Sequence, residues 1–237
     1  MPVVEAVRPS AACLTFNALG GLHKLKTERV HAFWRNVERF GPGAQLRCDN
    51  GASLKRCVIL SGWASEMRIL ADGRRQIFSF LLPGDAFLLE ERADLGGRGV
   101  IALTRLEVMD AAHPALGEAE TRESLSQAMR EAAIQKEERL LDHMVRIGRL
   151  NARERVLHLL LELCERLESV GLVKDDTFRI PLTQEIFADA LGLSLVHINR
   201  TLQHLRREGH IVLKRGAVTL PHRQKLASLA FYHPAAV

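Results

Sequence analysis

Residues 181–220, PLTQEIFADALGLSLVHINRTLQHLRREGHIVLKRGAVTL, constrain this chain more than any other stretch, because turn residues, hydrophobic period and charge all describe one device. Thr183 is a good N-cap, and Ile186, Phe187, Ala190 and Leu191 then fall on one helical face. Gly192 stops that helix. Ser194 opens a second, whose inward stripe is Ile198, Leu202 and Leu205, and Gly209 closes it. Two short helices joined by about three residues with a glycine in the turn make a helix-turn-helix. The apolar run 211–213, the turn Lys214-Arg215-Gly216 and the run 218–220 then read as a β-hairpin, so the unit is a winged helix.

The second helix turns Leu195, Val196, His197, Asn199, Arg200, Gln203, Arg206 and Arg207 outward. Between residues 195 and 215 stand Arg200, Arg206, Arg207, Lys214 and Arg215 against one acid, Glu208. Such a local cationic surplus is the footprint of an element seated on a polyanion. The net charge of +5 and a pI near 9.3 agree with double-stranded DNA as the partner, although global charge alone is weak evidence.

At 237 residues the chain is long enough for two modest domains. No apolar run approaches the roughly 20 residues that cross a bilayer, so a cytoplasmic protein without membrane contact is expected. Cys13, Cys48, Cys57 and Cys164 form no C-x-x-C pair, which lends no support to disulfides, zinc or an iron-sulfur cluster. A phosphate-binding loop, an H-E-x-x-H motif and a dinucleotide fingerprint are all missing from the sequence, and the ten histidines are dispersed. The expectation is a protein that is not an enzyme, has no catalytic residues and holds no metal or cofactor.

Taken in order, residues 1–20 have no period. Residues 22–40 space Leu22, Leu25, Val30, Phe33, Trp34 and Val37 for one or two amphipathic helices. From Gly41 to residue 110, turn signals recur about every ten residues between strand-like runs at 57–61, 66–70, 76–82 and 100–109, with Asp72-Gly73 as a hairpin turn; this is a β-domain. Residues 121–150 carry no proline and only Gly148, and are predicted to form one long helix with a stripe of Leu125, Met129, Ala132, Leu140, Met144 and Ile147, interrupted by Lys136. At about 1.5 Å per residue it spans on the order of 40 Å, and its expected partner is its own copy in a homodimer; the alternative is a helix packed only on the β-domain. Asn151 with Glu154 is a capping box that opens a helix at 152–168, with Val156, Leu159, Leu160, Leu163 and Leu167 inward. A short strand at 178–181 and a tail helix at 225–231 complete the outline.

The run LTQEIFADALGLSLVHINRTLQHLRREGHI resembles the DNA-binding end of the cyclic-AMP-receptor and fumarate-nitrate-regulator (Crp/Fnr) superfamily of bacterial transcription factors, and ADGRRQIFSFLLPGDAFLL resembles the central hairpin of its effector-sensing β-roll. The resemblance implies an α+β fold: a cyclic-nucleotide-binding-like β-roll with N-terminal helices at 1–110, a dimerisation helix at 111–150 and a winged helix-turn-helix at 151–237. It implies a homodimer on a palindromic operator, with RNA polymerase as a further partner. Arg200 matches the family's guanine-reading arginine, Asn199 suits adenine and Val196 a thymine methyl, while His197, Gln203, Arg206, Arg207, Lys214 and Arg215 suit phosphates. Departures from the pattern are informative too. Members that bind cyclic AMP carry Gly-Glu and Arg-Ser where this chain has Leu88-Leu89 and Arg98-Gly99, and an apolar pair accepts no hydrogen bond from a ribose hydroxyl. Arg98, Leu88 and Leu89 therefore mark an effector pocket for some other signal. The competing reading is a winged helix that docks on another protein without selecting DNA.

Overall fold

The computed structural model describes residues 37–47, 54–90, 98–110 and 119–233, with no side-chain description at 90, 98, 119–122, 124, 125 and 128. Its first part is a roll of two four-stranded sheets. One holds β1 (Val37–Phe40), β8 (Leu106–Asp110), β3 (Leu54–Ser61) and β6 (Ala86–Glu90) in that order; the other holds β2 (Gln45–Leu46), β7 (Arg98–Ala102), β4 (Ala64–Ile69) and β5 (Arg75–Leu81). All pairings are antiparallel. Alternating side chains from both sheets, among them Cys57, Ile59, Phe87, Leu89, Val100, Leu106 and Val108, close over one apolar core. Gly62 makes the turn from β3 to β4 at φ +84°, and a Cβ there would lie 2.0 Å from the Arg105 carbonyl oxygen, so only glycine fits.

Two expectations fail in this roll. Val37–Phe40 is a strand paired with β8, not the end of a helix, because it gains a ladder and the ion pair Arg39–Glu107 at 3.0 Å; the rest of 22–40 lies outside the described residues. The run 100–109 is two strands in different sheets. Thr104 makes the corner, its Oγ1 accepting a 2.9 Å hydrogen bond from the Trp63 amide.

The long helix α1 (Ala119–Arg149) follows, and Leu150 and Asn151 separate it from α2 (Ala152–Glu168). Both halves of the capping box are formed: Asn151 Oδ1 accepts from the amides of Arg153 (3.0 Å) and Glu154 (3.2 Å), and the Asn151 amide donates to Glu154 Oε2 at 2.8 Å. α2 is buried on nearly every side, including Val156, Leu160, Leu163 and Cys164 at 0% exposure, so it is the pillar of the second half. Around it stand α3 (Gln184–Leu191), α4 (Leu195–Arg207), α5 (Arg223–Leu229) and a sheet of β10 (Val212–Lys214), β11 (Ala217–Thr219) and β9 (Thr177–Arg179), in that order. The second core does not stop at the boundary between the halves. Trp63, Met67, Ile77, Phe80 and Leu82 from the outer face of the roll belong to it together with the α2, α3 and α4 residues.

The described face of α1 differs from the expected stripe. Ala132 is buried and Met129, Leu140 and Ile147 are half-buried against the chain itself, whereas Ile134, Leu141, Met144 and Val145 are 52–65% exposed. Of the expected stripe only Met144 is open, and the Leu125 side chain is not described. The inward face is instead charged and paired: Lys136 Nζ reaches Glu66 Oε1 of β4 at 2.6 Å, and Arg146 pairs with Glu162 of α2. Those carboxylates lie far off in sequence, which is why Lys136 reads as an interruption.

Candidate nucleic-acid interface

The geometry of α3 and α4 follows from their caps. Thr183 Oγ1 accepts from the Ile186 amide at 3.2 Å, and Gly192, left-handed at φ 61°, ends α3. Ser194 Oγ accepts from the His197 amide, also at 3.2 Å, and starts α4. Arg155 of α2 donates to the Leu191 carbonyl at 2.9 Å and so ties the free C-terminal end of α3 to the pillar. Ile198, Leu202 and Leu205 are buried, and Thr201 beside them spends its hydroxyl on the His197 carbonyl at 2.8 Å.

With that stripe fixed inward, the opposite face is presented to solvent. Val196 is 70% and Leu195 52% exposed; His197, Arg200, Gln203, Arg206 and Arg207 are exposed and Asn199 is half-buried. Among the described residues Arg200, Arg206 and Arg207 have no acidic partner. Asn199 Oδ1 accepts from Gln203 Nε2 at 2.8 Å, which orients both amides along the helix. The one acid nearby, Glu208, is engaged by Arg153 from α2 and flanked by His204 (3.3 Å) and His210 (3.1 Å), so it does not offset the guanidinium groups. Lys214 and Arg215 stand exposed at the tip of the β10–β11 hairpin, where Arg215 (φ 51°) and Gly216 (φ 75°) are both left-handed, as a tight two-residue hairpin turn requires. The structure thus puts the expected contacts of the winged helix on one exposed helix face and one hairpin tip.

The expected effector trio is not assembled in the same way. Leu89 is buried in the roll, but Leu88 points to the outside at 46% exposure, as neighbours on a strand must; the Arg98 side chain is not described. Cys57 and Cys164 are buried in the two cores. No described helix is long and apolar enough to cross a membrane, and no described cluster of His, Cys, Asp or Glu has metal-ligand spacing.

A family model described as a Crp-like helix-turn-helix domain matches residues 154–229, spanning α2 to α5. Over 228 residues the chain is 32% identical to the nitrogen fixation regulation protein FixK of Bradyrhizobium diazoefficiens, covering 95% of this chain and 92% of that one. The chain belongs to the Crp/Fnr family. A second relative of this family, the transcriptional activatory protein AadR of Rhodopseudomonas palustris, is 28% identical over 95% of this chain and 91% of its own. Among solved structures, FixK2 from Bradyrhizobium japonicum superposes with a TM-score of 0.68 at 25% identity, covering 85% of this chain and 98% of that one. Crp/Fnr membership makes the chain a DNA-binding transcription regulator, and its relatives are regulators by name.

Proposed function

We propose that this Crp/Fnr regulator acts in the cytoplasm as a homodimer on a palindromic operator, with Arg200, Asn199 and Val196 of each α4 reading bases and His197, Gln203, Arg206, Arg207, Lys214 and Arg215 holding phosphates. The observation that carries the reading is that, among the described residues, Arg200 pairs with no acid and stands on an exposed helix face whose opposite side is buried. A guanidinium without an acidic partner keeps its planar fork for the O6 and N7 acceptors of guanine. Leu195 and Val196 bring apolar contacts, which suit thymine methyls, and no carboxylate stands between residues 195 and 207 to accept from cytosine.

The two-fold arrangement is supported by α1. Ile134, Leu141, Met144 and Gly148 recur on one exposed side at the a and d positions of heptads, and an added Cβ at Gly148 would meet nothing within 4 Å. An apolar stripe of that length belongs against another helix. Paired there, two α4 helices about 34 Å apart meet successive major grooves. On this reading the roll passes a signal to the reader, Leu89 rather than Leu88 faces its interior, and RNA polymerase is the downstream partner. Selection of bound duplexes from a random pool by the full chain is expected to return an inverted repeat with a guanine in each half-site; recovery of an unpaired motif, or of none, overturns the proposal.

A further inference from the structure

The wing sheet carries one cation, Arg179, that belongs to neither α4 nor the hairpin tip. Register aligns three residues in a row at the hairpin end of the sheet: Lys214 of β10 stands opposite Ala217 of β11, and Ala217 opposite Arg179 of β9. The next row, Leu213, Val218 and Phe178, packs into the core around α2. Successive side chains on a strand point to opposite faces, so the row of Lys214 and Arg179 points outward. Both are exposed, and only the methyl group of Ala217 stands between them. The third row, Val212, Thr219 and Thr177, shares this outer face and is neutral, its two hydroxyls bonded to each other at 2.9 Å. None of the strand residues is an acid, and among the described residues Arg179 makes no ion pair and no hydrogen bond.

Charge is polarised along this sheet. Asp175 and Asp176, both left-handed at φ 51°, precede Thr177 at the end away from the hairpin tip, and Asp176 Oδ1 lies 3.9 Å from Arg223 of α5. At the other end Arg179 joins Lys214 and Arg215. There the Ile180 amide donates to the Gly216 carbonyl at 3.1 Å, just before the Thr183 cap of α3. The first helix of a helix-turn-helix crosses the phosphate backbone, so the row stands beside the element that meets phosphates. Arg179 lies on the far strand of the sheet from β10, the strand that follows α4. We propose that Arg179 completes a phosphate clamp with Lys214 and Arg215 across the outer face of the wing, gripping the DNA backbone beside the groove that α4 enters. Two strand spacings of about 4.8 Å separate Lys214 from Arg179, on the order of 10 Å. A DNA strand presents a phosphate every ~3.4 Å of axis, so the two side chains reach phosphates about three nucleotides apart. The clamp rests on the proposed seating of the hairpin tip on phosphates, and it adds affinity and register without reading sequence.

The test uses the full chain and a long random-sequence duplex, with affinity measured against salt by fluorescence anisotropy. Arg179→Gln, at an exposed and unpaired position, is expected to lower the slope of log affinity against log salt by about 0.9 per protomer bound, the counterion share of one phosphate, and Arg179→Lys to keep it. Arg105→Gln, which removes an equal charge from an exposed corner of the roll, is expected to leave the slope of the parent. A slope unchanged in Arg179→Gln, or lowered equally by Arg105→Gln, overturns the clamp. On the operator recovered by selection, ethylation of single phosphates is expected to reveal at least one that weakens binding by the parent and not by Arg179→Gln, while both select the same bases. A changed base selection in Arg179→Gln refutes the clamp by making the residue a base reader. If the parent selects no operator, the operator reading falls, and the slopes on random sequence still decide the clamp.

Discussion

Arg200 and Arg206 are both exposed on α4, yet they stand at different depths of the proposed interface. Arg200 lies within the first two turns after Ser194, the part of such a helix that enters the groove, and Arg206 lies in the last turn beside Arg207. Base contacts specify and phosphate contacts position. Arg200→Ala is therefore expected to cost about 1–3 kcal/mol on the preferred operator and to relax preference at one base pair per half-site, read by duplex selection with the variant. Arg206→Ala is expected to weaken all duplexes alike and to lower the slope of log affinity against log salt by about one; a changed sequence preference would reassign it to base reading. Val196 bears on the same scale. At 70% exposure it offers methyl groups and no hydrogen-bond acceptor, which fits the proposed contact with a thymine methyl.

At the scale of elements, the winged helix was legible and the long helix only half so. Thr183, Gly192, Ser194 and the stripe Ile198, Leu202, Leu205 act within a few residues of themselves, so their meaning survives without tertiary context. The same holds for Asn151 with Glu154 and for Asp72-Gly73, which turns between β4 and β5. By contrast, the corner at Thr104 needs the Trp63 amide, β1 needs β8, and the inward side of α1 carries Lys136, Arg139, His143 and Arg146. In sequence those residues look like a solvated face; their acids, Glu66, Asp85 and Glu162, come from β4, the β5–β6 turn and α2. The expected stripe therefore lies partly against the chain itself, and the outward one has its own test. Leu141 is 57% exposed, so Leu141→Glu is expected to leave the fold intact and convert the proposed dimer to monomers in sedimentation equilibrium. A variant that stays dimeric places the interface elsewhere.

For the molecule as a whole, the junction between roll and reader sets the response to acid. Burial, and then the Arg146 charge, hold both His143 and His158 at about 4, below the 6.5 of a free imidazole. Below pH 6.5 the unfolded chain binds these protons and the folded one does not, so stability falls as pH drops from about 6.5 towards 4. Glu162 extends the trend: burial raises its pKa, but Arg146 and Arg166 outweigh it and hold the carboxyl at about 2, so its contribution is lost as pH falls from about 4.5 to 2. Urea midpoints are expected to decline between pH 7 and 4.5, less steeply in His158→Gln; equal slopes would locate the acid sensitivity elsewhere.

The apolar core shared by Trp63, Ile77 and Phe80 with α2, α3 and α4 has a mechanical corollary. Arg75 of β5 rivets the same seam, 2.7 Å from both Glu185 and Asp189 of α3. Roll and winged helix therefore pack as one body and not as beads on a string, so a fragment cut at Leu150 would bare greasy surface on both pieces.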